Sequence, residues 1–245
     1  MNYPIYLLFG IAPSLIWLCY YLKKDPHPES KEIILRVFLL GMGSAVFAAG
    51  IENFISSFIL FNIFPEANIT ILAQILYIFL GIAFVEEFTK YFAVKNKYII
   101  VKKTLLEEKD FDEPLDVMIY MIVSALGFAA VENTLLFFSG NPALLETFFI
   151  SGLRFAGATF LHTLCSGIIG YFIALSFYKK RKRKIFSIIG LSIATLLHGL
   201  YNFSIIKIKG NEKFLIPIFV LIGSSIFISF AFKRLINKTN RFDSE

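Results

Sequence analysis

Residues 69–94 read ITILAQILYIFLGIAFVEEFTKYFAV. No charge interrupts this stretch before Glu86. A run of roughly 20 or more apolar residues, rising 1.5 Å per residue, crosses a ~30 Å hydrocarbon core. The stretch therefore reads as a membrane span, and one that carries charge inside it. Six further runs share its apolar character, with approximate limits 3–22, 33–60, 115–138, 147–178, 185–206 and 214–232. The reading is an all-α, polytopic transmembrane bundle of about seven spans, one integral membrane domain over 1–245. Composition agrees: of 245 residues 57% are hydrophobic and only 17% charged, where a soluble domain needs about 25% charged to cover its surface. Span 1 lacks a basic leader and an A-x-A site, so it reads as retained rather than as a cleaved signal peptide. Span 5, at about 32 residues, is long for one crossing and reads as a tilted helix or a broken pair.

Basic residues orient the chain. Nineteen of the 24 Lys and Arg fall in segments 23–36, 95–116, 179–184 and 233–241, against Lys207, Lys209 and Lys213 in the alternate segments. Cytoplasmic loops collect positive charge, which places the N-terminus outside and the C-terminus in the cytoplasm of a multi-pass cell-membrane protein. The loop 95–114 is then cytoplasmic and reads as a lid or surface helix. The run Lys-Lys-Arg-Lys-Arg-Lys at 179–184 adjoins no soluble domain, so it reads as a flank facing anionic lipid and not as a nucleic-acid site. The partner implied is the lipid bilayer, with no nucleic acid; Cys19 and Cys165 stand alone in apolar runs, which excludes a disulfide framework.

Each charge at the centre of a span costs on the order of 3 kcal/mol, so such groups are functional by default. Span 3 holds Glu86, Glu87 and Lys90; Glu86 and Lys90 are four apart and stack on one helix face. An ion pair with Lys90 reaching toward the interface accounts for one of the two carboxylates only. Span 4 holds Phe128, Glu132 and Asn133; span 5 holds Arg154 and His162, about 12 Å apart along a helix axis; span 6 holds His198 and Asn202 on one face. Any one of these is explained by an interhelical hydrogen bond, but the set on four successive spans points to a common site. Depths of roughly 20–26 Å from the span ends permit convergence, with Glu132 falling nearer the outer leaflet. Glu52 in span 2 has no assigned role.

A buried carboxylate beside an imidazole can take a proton from water, and a second His with an amide can stabilise an oxyanion. These are minimal parts for peptide hydrolysis. There is no G-x-S-x-G and no H-E-x-x-H. The variant is a metal site, since His162, His198 and Glu86 form a His₂Glu zinc set.

In order along the chain stand Asp25-Pro26-His27-Pro28-Glu29, Glu86-Glu87-Phe88-Thr89-Lys90, Phe111-Asp112-Glu113-Pro114-Leu115-Asp116, Phe128 to Glu132-Asn133, Arg154 with His162, and His198 to Asn202. This ordered set resembles the PrsW family of bacterial and archaeal intramembrane proteases, relatives of the CAAX prenyl endopeptidases. The resemblance implies a multi-pass peptidase cutting a membrane-anchored protein such as an anti-sigma factor, in regulated proteolysis, or a prenylated peptide by analogy. Both glutamic and metal-dependent chemistry are implied for such enzymes. The glutamic form is the expectation here, with no cofactor: Glu86 as base, His162, His198 and Asn202 around the oxyanion, Glu87 and Glu132 in essential support, and Lys90, Phe128, Asn133 and Arg154 behind them. Zinc at His162, His198 and Glu86 is the alternative. A proton-coupled transporter and a non-catalytic binding relative are the competing classes; inverted repeats, which the transporter requires, are not visible.

Overall fold

In hydrocarbon every backbone N–H and C=O must find its partner within the chain, so apolar runs of this length become helices. The computed structural model of the protein describes residues 3–58, 70–101, 114–178 and 180–242. Among these there is no strand, and the order is α1 (Tyr3–Leu22), α2 (Lys31–Phe58), α3 (Ile71–Leu76), a π-helical stretch Tyr77–Ala83, α4 (Phe84–Val101), α5 (Pro114–Gly140), α6 (Leu144–Ala156), α7 (Ala158–Leu175), α8 (Arg183–Lys207) and α9 (Leu215–Phe242). With α3, the π stretch and α4 taken as one rod, and α6 with α7 as another, seven helical units among the described residues are long and apolar enough to cross a membrane.

The central helix is α5, buried around its whole circumference from Leu115 to Ala130. It packs against α1, α2 and α7. Against α2 the two backbones touch: a Cβ on Gly41 would lie 2.0 Å from the Ser124 carbonyl oxygen, and one on Gly127 would lie 2.1 Å from that of Phe38. Close approach through small residues is how membrane helices gain dispersion energy without a hydrophobic force between them. Side chains on the outer helices, among them Leu8, Phe47, Phe54 and Phe219, are exposed and face lipid.

Span 5 is a single crossing unit with one break in it. Gly157, at φ −107° and ψ −95°, interrupts the helix between α6 and α7. Trp17 of α1 clamps the break: its ring stacks on Phe155 at 5.1 Å and on Phe160 at 4.4 Å, and its Nε1–H donates to the Phe155 carbonyl at 3.0 Å. Two ends extend beyond the sequence reading, since α4 continues to Val101 into the segment taken as loop, and α9 continues through the tail to Phe242. The rest of the loop, with Phe111-Asp112-Glu113, lies outside the described residues, as does 61–68. The Asp25-Pro26-His27-Pro28 motif builds the turn between α1 and α2, where Asp25 Oδ1 accepts from the His27 N–H at 3.0 Å, a side chain mimicking a backbone turn.

Candidate active site

Glu86, Glu87 and Lys90 stand on α4 directly after the π stretch, Phe128, Glu132 and Asn133 on α5, Arg154 on the last turn of α6, His162 on α7, and His198 and Asn202 on α8. The fold brings all of these except Asn202 into one network. Lys90 is at its centre and fully buried. Its Nζ lies 2.7 Å from Glu87 Oε1, 2.8 Å from His162 Nδ1 and 3.8 Å from Glu86 Oε2, with the Phe128 ring centroid at 4.4 Å. The expected Glu86–Lys90 pair on one face is present at 3.8 Å, and Glu87, three positions before Lys90, is the closer partner of the ammonium at 2.7 Å. Lys90 does not reach the interface, because the bundle encloses it and Glu87 satisfies its charge there at far lower cost than exposure to hydrocarbon.

Each histidine is fixed by a carboxylate on one ring nitrogen. His162 Nε2 lies 2.7 Å from Glu132 Oε2, and His198 Nδ1 lies 2.8 Å from Glu87 Oε1. Donor chemistry then assigns the tautomers. Lys90 can only donate, so His162 Nδ1 accepts; Glu132, paired with Arg154 Nη2 at 2.8 Å, accepts, so His162 Nε2 carries the proton. By the same reasoning His198 donates from Nδ1 to Glu87 and turns an Nε2 lone pair inward. These two inner nitrogens face Glu86, whose Oε2 is buried without a hydrogen-bond partner and lies 3.7 Å from His162 Nδ1 and 3.8 Å from His198 Nε2.

The break at Gly157 lets α6 and α7 serve a single carboxylate. Arg154, before it, and His162, after it, both end on Glu132, although a straight helix separates them by two turns. Asn133 points away from Glu86 and braces this arm: its Oδ1 accepts from Arg154 Nε, and its Nδ2 donates to Thr159 Oγ1 at 3.0 Å and the Gly10 carbonyl at 3.3 Å. Glu132, which depth arithmetic put nearer the outer leaflet, reaches His162 nonetheless. Asn202 is half-buried one turn beyond His198, and among the described residues its side chain makes no hydrogen bond. Glu52, half-buried on α2, lies within electrostatic reach of Glu132 and Lys90.

Three further contributors escape sequence reading. Ser166, one turn after His162, donates to Glu87 Oε2 at 3.3 Å; its only signal is i,i+4 spacing in an apolar helix. Tyr201 covers the break, since a Cβ on Gly157 would meet its hydroxyl at 2.5 Å. Phe79, in the π stretch, fills the notch at Gly199, where a Cβ would lie 2.4 Å from its ring. That contact seats the segment before Glu86 against the residue after His198, and a π-helical stretch beside functional residues is a recurring association.

The inward-facing atoms are thus the His198 Nε2 lone pair, a Glu86 carboxylate oxygen and His162 Nδ1, whose lone pair accepts from Lys90 at 2.8 Å; one donor atom from each of the three residues lies within 4.8 Å of the others. They fit a divalent cation: the set is the His₂Glu combination of hydrolytic zinc centres, the carboxylate oxygen is orphaned, and the outer nitrogens carry the carboxylate partners that orient metal-binding histidines.

No solved structure matches the chain. Three curated relatives are similar to it along most of its length, each named Protease PrsW: that of Oceanobacillus iheyensis is 30% identical over 214 residues, 87% of this chain and 88% of the relative. That of Clostridioides difficile is 29% identical over 206 residues, 83% and 79%, and that of Bacillus subtilis 26% identical over 215 residues, 87% and 88%. The family described as PrsW family intramembrane metalloprotease matches residues 29–230, which include every residue of the network. The chain belongs to that family, and it is a multi-span intramembrane peptidase.

Proposed function

We propose that the chain hydrolyses a peptide bond of a membrane-anchored protein at Glu86, His162 and His198, and that these three residues hold a divalent metal ion, zinc being the ion their donors suit. One observation carries the reading: the orphaned Glu86 Oε2 faces two imidazole nitrogens whose opposite nitrogens are already committed to Glu132 and Glu87, and an ion there takes the place of Lys90 Nζ, 2.8 Å away, on His162 Nδ1. Bound there, such an ion acidifies water and polarises a carbonyl. The chain's own groups do the rest. Glu132 and Glu87 lock the imidazoles in orientation and tautomer, Lys90 and Arg154 set positive charge among three carboxylates, and Phe128, packed with Val85 and Ala48, walls the site with apolar surface that excludes bulk water.

The second reading is glutamic: Glu86 takes the proton of water, with His162, His198 and Asn202 around the oxyanion. It is favoured by Lys90, which already places a cation 2.8 Å from the His162 Nδ1 lone pair. It is burdened by His198, which must gain a second proton before Nε2 can donate to an oxyanion. An anti-sigma factor is the substrate type that the family resemblance supports, with a prenylated peptide as the alternative. The distribution of Lys and Arg supports an outside N-terminus and a cytoplasmic C-terminus in the cell membrane.

The experiment is metal removal. Purified enzyme should contain about one zinc per chain, lose cleavage of a single-span substrate in proteoliposomes on phenanthroline treatment, and regain it on zinc addition. Full activity with no metal by elemental analysis establishes the glutamic reading instead.

A further inference from the structure

Lys90 stands three residues after Glu87 and four after Glu86, a spacing that brings an ammonium within reach of both carboxylates on one helix. Among the described residues it is the one Lys or Arg that is buried, and a lysine buried to that degree needs partners. Its Nζ lies 2.7 Å from Glu87 Oε1, 2.8 Å from His162 Nδ1 and 3.8 Å from Glu86 Oε2, over the face of Phe128. His162 Nδ1 and Glu86 Oε2 are also atoms to which the metal reading gives the ion. An ammonium carries several protons and no lone pair, and its stem is flexible. Lys90 can therefore leave His162 and still keep Glu87 and the Phe128 ring. His162 has no such freedom: its Nε2 is fixed on Glu132 at 2.7 Å, and the lone pair on Nδ1 serves one cation at a time.

We infer that Lys90 is a positioning residue that keeps the place of the metal ion: its ammonium and the ion are alternative cations on His162 Nδ1, and this competition sets the affinity of the chain for metal. The role rests on the metal-binding reading of Glu86, His162 and His198. The arrangement of acceptors supplies its physical reason. Glu86 Oε2 lies 3.7 Å from His162 Nδ1 and 3.8 Å from His198 Nε2, so an anionic oxygen and two nitrogen lone pairs are aimed at one small volume. Such groups repel one another unless a cation stands among them. The ammonium supplies that charge from within the chain and keeps the His162 lone pair pointed inward. On metal loading the ion takes over the task, and Lys90 withdraws to Glu87, which also holds His198. A lysine that only braced Glu87 needs no contact with His162.

Zinc titration of the full chain in neutral detergent tests it, with affinity read by competition with a chelating dye and the imidazoles by nitrogen-15 NMR. The spectrum is simple, because the chain has 3 histidines, His27, His162 and His198. Lys90→Met removes the ammonium and keeps an apolar stem. It should bind zinc on the order of tenfold or more tighter than wild type, through loss of the competing cation. In zinc-depleted protein it should move the His162 Nδ1 resonance from the hydrogen-bonded to the unbonded position and leave His27 unmoved. With zinc bound, the His162 resonances of wild type and variant should converge, since the ammonium has already withdrawn; a charge acting only through space tightens zinc without that convergence. If Lys90→Met fails to accumulate, Glu87→Gln/Lys90→Met compared with Glu87→Gln alone gives the same readouts with the buried pair removed together. A wild type that binds zinc beside a Lys90→Met that binds it equally or more weakly overturns the role of Lys90 and leaves the metal reading standing. So does a zinc-loaded wild type whose His162 resonances stay apart from those of the variant. A wild type without affinity for zinc removes the metal reading and this role with it.

Discussion

Glu132 Oε2 lies 2.7 Å from Nε2 of His162, and this contact determines which nitrogen of the ring looks toward Glu86. The same carboxylate holds Arg154 by its other oxygen, so one side chain of the central helix fastens both halves of a broken span. Charge, helix break and imidazole orientation are one mechanical unit.

Glu132→Gln keeps an acceptor for the His162 N–H and removes the charge. Loss of a carboxylate behind a metal-binding histidine costs about 10–100-fold in affinity or activity. We expect a drop of that size in zinc affinity, measured by competition with a chelating dye, in protein that still elutes as a folded species. Affinity and cleavage both within twofold of wild type exclude this role.

Glu86→Gln and Glu87→Gln should separate chemistry from support. Glu86 has no hydrogen bond at Oε2, so its neutral analogue should abolish cleavage and leave the melting temperature near wild type. Glu87 is the tight partner of Lys90 and His198. Removing one member of a buried pair costs roughly 3–5 kcal/mol, so Glu87→Gln should lower the melting temperature as well as activity. Equal melting behaviour of the two variants contradicts the assigned division.

The spans were legible because lipid imposes one rule on every residue they contain, and the site residues because charge is conspicuous in an apolar run. What was not legible depended on neighbours in space. Helical periodicity paired Lys90 with Glu86, but the partner with the shorter contact is Glu87, which sits beside His198 and Ser166. The π stretch at Tyr77–Ala83 breaks the 3.6-residue repeat without an unusual residue to mark it. The expectation of glutamic chemistry follows from the residue types together with the family resemblance; the orientation of the two imidazoles, on which the proposed metal site depends, is set by Glu87 and Glu132 from other helices.

Gly199→Ala changes no reacting group. Its Cβ would lie 2.4 Å from the Phe79 ring, and overpacking of this kind costs about 1–3 kcal/mol. Activity should fall at least tenfold, and Phe79→Ala combined with Gly199→Ala should recover most of it. No recovery in the double variant breaks the link between the notch and the site.

Topology is open to cysteine labelling in a chain whose Cys19 and Cys165 are replaced by Ser. Probes at 180–184 should report the cytoplasm and probes at 139–146 the outside. Both segments on one side contradict the odd number of crossings.

His198 and Asn202 give the closest test of what the centre holds. They sit one turn apart on α8, yet only His198 joins the network. An amide is a poor zinc ligand and a good donor to an oxyanion, so the two residues part company by mechanism. In the metal reading His198→Ala should empty the site and abolish cleavage, whereas Asn202→Ala should retain about one zinc per chain by elemental analysis and lose only transition-state stabilisation. In the glutamic reading neither variant changes a metal content that is already negligible, and Asn202→Ala costs on the order of 10²–10³ in rate, as for an oxyanion-hole donor. We expect zinc to follow His198 and to be indifferent to Asn202. Cobalt replacement adds a readout independent of turnover: the visible absorption of a cobalt-loaded wild type should persist in Asn202→Ala and vanish in His198→Ala. Cobalt absorption unchanged by the loss of His198 would remove that residue from the ligand set, whereas a wild type that takes up no cobalt would return the centre to Glu86 acting on water unaided.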